Sequence, residues 1–269
     1  MVRVEVLAVG KELLIGRTLN TNAHWIGKRL ALMGTMIKEI TTVDDDLAEI
    51  SEGLAAVLSR RPGFVVVIGG LGPTPDDMTL KGVAMGTGRR MSLNRRALSL
   101  IRDHYARRGM PGVELTPARR KMAVLPSGAT PLPNLAGTAP GVRLVEGDSV
   151  VFCLPGVPVE MRSIFRRSVE PEIRASVGRL SRAAVTLKLE GIYESALAPL
   201  IRRELRRNPG VYIKSHPRGL REGVSRIELD IVVVGKKQDD AEAAMRGIAR
   251  KMAEEVTKAG GVLRSAGVT

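Results

Sequence analysis

Three glycines within four residues, Gly69-Gly70-Leu71-Gly72, run straight out of the apolar stretch Phe64 to Ile68 and into Pro73-Thr74-Pro75-Asp76-Asp77-Met78-Thr79. Missing side chains leave backbone N–H groups uncovered, and a helix starting near Thr79 would add the positive end of its dipole. Both features suit a phosphate. The segment is not a Walker A loop, because no Gly-Lys-Ser/Thr closes it, and not the Rossmann glycine pattern, because the helix opens with acids. Asp76 and Asp77 would repel a bound phosphate unless a divalent cation bridged carboxylate and phosphate oxygens. The plainer alternative is that Asp77 and Thr79 only cap a helix, each contributing about 1 kcal/mol.

Other loops carry the same kind of residue. Glu12 sits in a tight turn from Gly10 to Gly16, followed by Asn20-Thr21-Asn22. Asp45 lies in Asp44-Asp45-Asp46, where a strand should end. Pro155, Gly156, Pro158 and Glu160 follow another apolar run, and Gly137-Thr138-Ala139-Pro140-Gly141 is a possible fifth loop. Pro158 fits the first turn of a helix and Glu160 its favourable dipole end, with no site role required. Cys153, between Phe152 and Leu154, reads as an inert core thiol. His24 and His104 fall on helices without a ligand partner in register and read as surface or packing residues.

The elements that would position these loops follow from apolar periodicity. Val2 to Val9 predicts a buried strand, Asn22 to Met33 a helix stopped by Gly34, and Met36 to Val43 a second strand. Asp46 then caps a helix, with Glu49 in capping-box position. Phe64 to Ile68 and Val150 to Leu154 are continuous apolar strands of the kind found in parallel sheets. Helices are expected over Thr79 to Met85, Asn94 to Arg108, and from Pro158 through Arg167. The stretch Gly109 to Gly141 reads as loop, with one short strand near Met122 to Leu125. Strands alternating with crossover helices predict a three-layer α/β/α sandwich over residues 1–175. Residues 176–269 read as a small second α+β domain, in the order β-α-β-β-α, with Lys214 to Gly219 as a basic hairpin turn.

Composition bounds the function. Hydrophobic residues make up 44% of the 269, enough for a real core, and no apolar run nears the roughly 20 residues of a membrane helix. No signal peptide is expected, and one cysteine fits a reducing cytoplasm. The net charge of +14 divides evenly: 24 basic and 17 acidic residues through residue 175, then 18 and 11. An even spread with 3% aromatics argues against a nucleic-acid footprint. The shortage of Gln and Asn beside abundant Arg is equally a mark of heat adaptation.

Four motifs carry a resemblance. Gly10 to Gly16 with Asn20-Thr21-Asn22, Gly69 to Thr79, Leu132-Pro133-Asn134 with Gly137 to Gly141, and Leu154-Pro155-Gly156-Val157-Pro158-Val159-Glu160-Met161 resemble, in order and spacing, the CinA family. The Gly69 to Thr79 segment also resembles the wider molybdopterin-binding superfamily of MoaB, MogA and MoeA type, at Gly69, Gly70, Gly72, Asp77 and Thr79, with Asp45 as a second acidic match. The tail resembles a small KH-like domain. The resemblance implies a molybdopterin-binding-type sandwich holding a nucleotide or pterin phosphate and, for the CinA branch, metal-dependent hydrolysis of the pyrophosphate of ADP-ribose. It also implies that the deamidase domain of full-length members is absent from this chain.

The leading expectation is therefore a phosphoanhydride hydrolase and homo-oligomer. Asp76, Asp77 and Glu12 would hold Mg²⁺, Mn²⁺ or Co²⁺. Thr74, Thr79 and the glycine amides would hold phosphate, with Gly10, Asn20, Asn22, Asp45, Asn134, Gly137, Thr138, Pro155, Gly156, Pro158 and Glu160 completing the ligand site. A molybdopterin-binding or pterin-adenylylating protein using the same loops is the alternative, and a nucleic-acid-associated module the third reading.

Overall fold

The structure, a computed structural model, describes residues 2–178 and 180–268. The chain divides into two compact units: one takes the chain through Leu30 together with Thr35–Val177, the other Ala31–Gly34 and the chain from Gly178 onward.

The first unit opens with β1 (Val4–Val9), α1 (Lys11–Leu14), α2 (Thr21–Leu32), β2 (Ile37–Val43), α3 (Leu47–Ser59) and β3 (Phe64–Ile68). It continues with α4 (Thr79–Gly86), β4 (Met91–Leu93), α5 (Arg95–Arg107), α6 (Pro117–Lys121), β5 (Val124–Pro126) and β6 (Thr130–Leu132). It closes with β7 (Gly141–Glu146), β8 (Ser149–Leu154), α7 (Pro158–Ile164), a π-helical turn over Phe165–Val169, and α8 (Glu170–Val177).

Its main sheet has the order β2-β1-β3-β8-β7-β6. The first four strands are parallel, while β7 pairs antiparallel with β8 on one side and β6 on the other. The sheet is thus mixed: β6 and α6 fall where the sequence predicted loop, and β4 and β7, which but for Gly141 lie in stretches the sequence reading left unassigned, are additions. Both central strands are buried along their whole length, which is why they read as continuous apolar runs. Leu7, Val9, Val65, Val67 and Cys153 pack beneath Ile50 and Leu54 of α3, Val83 of α4 and Ile101 of α5. On the other face α2 and α7 meet through the edge-to-face pair of Trp25 with Phe165, the start of the π turn. Glu5 is the polar exception in β1. It is buried, and Arg60 closes on it at 2.6 Å and Arg3 at 2.9 Å, so its charge is compensated.

The second unit contains β9 (Ser181–Glu190), α9 (Glu194–Arg207), β10 (Tyr212–Arg221), β11 (Val224–Gly235), α10 (Gln238–Lys258) and β12 (Val262–Val268). The strand order β10-β11-β9-β12, antiparallel throughout, is that of a split β-α-β unit. Two expectations are corrected. A last strand, β12, closes the sheet beside β9, and Lys214 to Gly219 is strand, not turn. The hairpin turns at Glu222-Gly223, both with positive φ (54° and 79°), the two-residue geometry that suits the strand twist. Among the described residues no helix is long and apolar enough to cross a membrane.

Candidate functional site

Because β1, β2, β3 and β8 are parallel, their carboxyl ends open on one edge of the sheet, where loops converge. A crevice of about 290 Å³ lies there. Of the expected residues, Gly10, Glu12, Asn20, Asn22, Asp45, Gly69, Gly70, Asp76, Asp77, Gly156 and Pro158 line it. A neighbouring cavity of about 630 Å³ shares Gly70, Asp77 and Gly156 with the crevice and adds Gly72, Thr138, Pro155 and Glu160.

The glycine loop is shaped by close backbone approach. Gly69 and Gly70 have φ of 116° and 57°, conformations that side chains disfavour. A Cβ on Gly69 would lie 2.3 Å from the Val9 carbonyl oxygen, and one on Gly70 2.4 Å from Thr79 Oγ1. The Gly69 amide donates to the Leu154 carbonyl at 3.0 Å, tying β3's exit to β8. The amides of Gly70, Leu71 and Gly72 donate to no acceptor among the described residues; Gly70 lines the crevice, and all three residues line the neighbouring cavity.

Four expected ligand residues line neither cavity. Thr79 is fully buried behind Gly70, its hydroxyl without a partner among the described residues. Thr74 serves Asp77: its amide and hydroxyl donate to Asp77 Oδ2 at 2.9 and 2.5 Å. That arrangement also corrects the capping alternative, since Met78 is the N-cap of α4 without a side-chain cap, and Thr79 is its first residue. Asp77 closes the turn before the helix. Asn134 and Gly137 support the site from behind. Buried Asn134 donates to the Ala139 carbonyl at 2.9 Å and to Glu160 Oε2 at 2.7 Å, and accepts from the Ala136 and Gly137 amides. A Cβ on Gly137 would sit 2.0 Å from the Glu160 carboxyl carbon.

The crevice wall is acidic. Lys11 pairs with Asp44 at 3.2 Å, and Asp44 also accepts from the Asp45 amide. Asp44 is held below the usual carboxylate range by hydrogen bonding to Asp45 and Lys11. Asp45 is pushed up by its hydrogen bond to Asp44, then by burial and by the charges of Asp44 and Glu12. Asp46 caps α3 by accepting from Ala48 and Glu49, while Glu49 reaches back to the Asp44 amide instead of its own cap residue. Among the described residues no three His, Cys, Asp or Glu side chains are clustered tightly enough to hold a metal unaided. Glu12, Asp76 and Asp77 all line the one crevice.

Sequence reasoning missed α6 and what it carries. Thr116 accepts from the Arg119 amide and Pro117 takes the first turn, so the cap signal was present in the chain. The helix brings Arg119 and Lys121 to the glycine loop, where Lys121 donates to the Thr74 carbonyl and Arg119 stacks 4.5 Å from the Tyr105 ring. Burial lowers the Lys121 pKa, with the charge of Asp77 opposing. Cys153 is buried as expected, and burial pushes its thiol up to about 12. His104 is buried and His24 exposed, neither at the crevice.

This combination of a mixed sandwich and a glycine loop at its carboxyl edge matches a family model described as "Probable molybdopterin binding domain" over residues 5–175. A protein of Pyrobaculum arsenaticum is 37% identical over 93% of this chain and 92% of its own length. One of Metallosphaera sedula is 40% identical over 96% of both. The crystal structure of "the protein CinA with unknown function from Thermoplasma acidophilum" superposes with a TM-score of 0.57 at 39% identity, covering 63% of this chain and 98% of that one. The chain belongs to the molybdopterin-binding-domain family. Within it, its first unit is a CinA-type domain.

Proposed function

We propose that the chain binds a phosphorylated heterocycle of molybdopterin type in the crevice at the carboxyl ends of β1, β3 and β8. The observation that carries this reading is the run of three unpartnered amides, Gly70 to Gly72, in a loop that admits no side chain at Gly69 or Gly70. Consecutive backbone donors without protein acceptors are a phosphate cradle. The family match over residues 5–175 supports the pterin as the heterocycle.

A second reading, hydrolysis of the phosphoanhydride of ADP-ribose to AMP and ribose 5-phosphate, is favoured by Glu12, Asp45, Asp76 and Asp77 lining one crevice. Glu12, Asp76 and Asp77 would hold Mg²⁺, Mn²⁺ or Co²⁺. A bound divalent ion neutralises phosphate charge and lowers the pKa of its water, supplying a nucleophile. The amides of Gly70 to Gly72 would hold the phosphate left behind, and Asp77, fixed by Thr74, would keep its second carboxylate oxygen free for the ion.

One experiment addresses both. Molybdopterin, AMP and ADP-ribose are titrated into the protein by calorimetry with each metal and with chelator, and products are resolved by chromatography. Pterin binding without turnover supports the first reading, and release of AMP with metal but not chelator supports the second. Absence of binding for all three at millimolar concentration overturns both.

A further inference from the structure

The free edge of the second unit's sheet lies beside a groove. In the order β10-β11-β9-β12, β10 has a strand on one side only. Over Tyr212 to His216, ahead of Pro217, alternate residues therefore turn their N–H and C=O groups outward. A cavity of about 570 Å³ lies between this strand and α9. Its lining is apolar at Ala198, Ile201 and Leu205, which share one stripe of α9, and at Ile213 of β10. Its rim is basic. Arg202, Arg206 and Lys214 are exposed and form no ion pair among the described residues, whereas Arg203 and Arg207 turn to Glu255 and Glu204. One carboxylate also lines the groove, that of Glu194, and it accepts from the buried Ser215 hydroxyl at 2.5 Å. Three cations against this one carboxylate leave the groove net positive.

We propose that this groove takes an extended acidic segment of a partner protein, added to β10 as a further strand. The strand edge supplies backbone hydrogen bonds, and the groove selects the side chains. Apolar side chains of the segment lodge against Ile201, Leu205 and Ile213, and its carboxylates meet Arg202, Arg206 and Lys214. Two other occupants fit less well. A second copy's β10, laid antiparallel over Tyr212 to His216, would face Lys214 with its own Lys214 and bring no carboxylate, since β10 contains none. A single-stranded nucleic acid would find no aromatic ring in the lining on which to stack a base. Lys214 and Pro217 are the residue types that keep an edge strand from pairing with its own kind. Neither opposes an acidic strand that ends ahead of Pro217.

The test pans a random dodecapeptide display library against the full chain, with the double variant Arg202→Gln, Arg206→Gln as counter-selection. Recovered peptides are synthesised with a fluorescein label and titrated by fluorescence anisotropy. Their sequences alternate acidic and apolar residues, and the double variant binds them about tenfold or more weakly, the size of one or two charge-assisted hydrogen bonds. Methylating the peptide's amide nitrogens one at a time abolishes binding at alternate positions only. That pattern marks a strand with one edge paired and the other in solvent, and charge attraction alone does not produce it. If the double variant melts early by circular dichroism, Lys214→Gln carries the comparison. Recovery of no groove-dependent peptide overturns the proposal, as does recovery of peptides without acidic residues. Unchanged affinity in the variants overturns it, and so does N-methylation without an alternating effect. Groove-dependent binding of a single-stranded oligouridylate, tighter than that of any peptide, overturns it in favour of nucleic acid.

Discussion

The Asn22 side-chain amide donates to the Gly156 carbonyl at 2.7 Å, joining the first turn of α2 to the loop after β8 across 134 residues of chain. Both residues line the crevice, and Gly156 packs against Gly69, so this bond ties α2 to the wall that carries the glycine loop. Asn22→Ala removes the donor to the Gly156 carbonyl. A cost of about 1 kcal/mol is expected, read as a fall in Tm of about 2–4 °C, together with weaker binding of AMP. An unchanged Tm and unchanged affinity would show that the loop is held by other contacts.

Asp77 takes both the amide and the hydroxyl of Thr74. Asp76, held below the usual carboxylate range by hydrogen bonding to the Thr74 side chain, lacks the amide bond, which separates their variants. Asn at position 77 can still accept from the Thr74 amide, so Asp77→Asn should lose about 1 kcal/mol or less. If ADP-ribose is hydrolysed, turnover should fall by about a hundredfold or more, because a neutral amide is a poor ligand for a hard cation. Asp76→Asn is the comparison and should lose no more than Asp77→Asn. Near-wild-type turnover in Asp77→Asn at saturating metal removes Asp77 from the chemistry.

Gly82 faces α3 so closely that a Cβ would lie 2.5 Å from Ile50 Cγ2 and 2.6 Å from Ile50 Cβ. Gly82→Ala gains about 1 kcal/mol of helix propensity but overpacks a core where Ile50 is fully buried, at a cost of about 1–3 kcal/mol. The net effect is destabilising, and Gly82→Ala combined with Ile50→Val should recover part of it. A denaturant melt in which the single variant is more stable than wild type would show that α4 can shift freely.

These positions show why some of the molecule was readable in the chain and some was not. Val65 to Ile68 is buried on both faces, and a β-branched apolar run this short, closed by Gly69-Gly70, reads as a central strand and not as a buried helix. The glycine loop is equally explicit, because its local backbone demands the residues that mark it. β7 was hidden by its Gly/Pro-rich surroundings, although Val142 and Leu144 are buried with Arg143 between them, and Gly147-Asp148 turns the chain into β8. The role of Asn134 is not written in its neighbours at all. Its partner Glu160 lies 26 residues on, and only the folded chain brings them to 2.7 Å. Lys121 is the same case, since its place depends on α6 lying against a loop whose Thr74 is 47 residues earlier.

Cys153 gives a prediction in pH. Its thiol is pushed from an ordinary 9.0 up to about 12 by complete burial. A raised folded-state value means that the unfolded chain releases its proton first as pH rises. Stability from this group is intact below pH 9 and declines between about pH 9 and 12. Native protein should resist a thiol-specific chromogenic reagent at pH 8 and react fully in guanidinium chloride. Rapid labelling of the native protein at pH 8 would contradict the burial.

The interleaving of the main sheet has a consequence for synthesis on the ribosome. β1 pairs with β3, and β3 with β8, so the central strand acquires its second neighbour only when residues 149–154 have been made. Gly156 and Pro158, which complete the crevice wall, emerge later still. A nascent chain stalled near residue 146 holds β3 with one edge unpaired and five apolar residues on show, and is the species most exposed to aggregation or chaperone capture. Translation speed across the codons for β7 and β8 therefore governs how long that edge stays open.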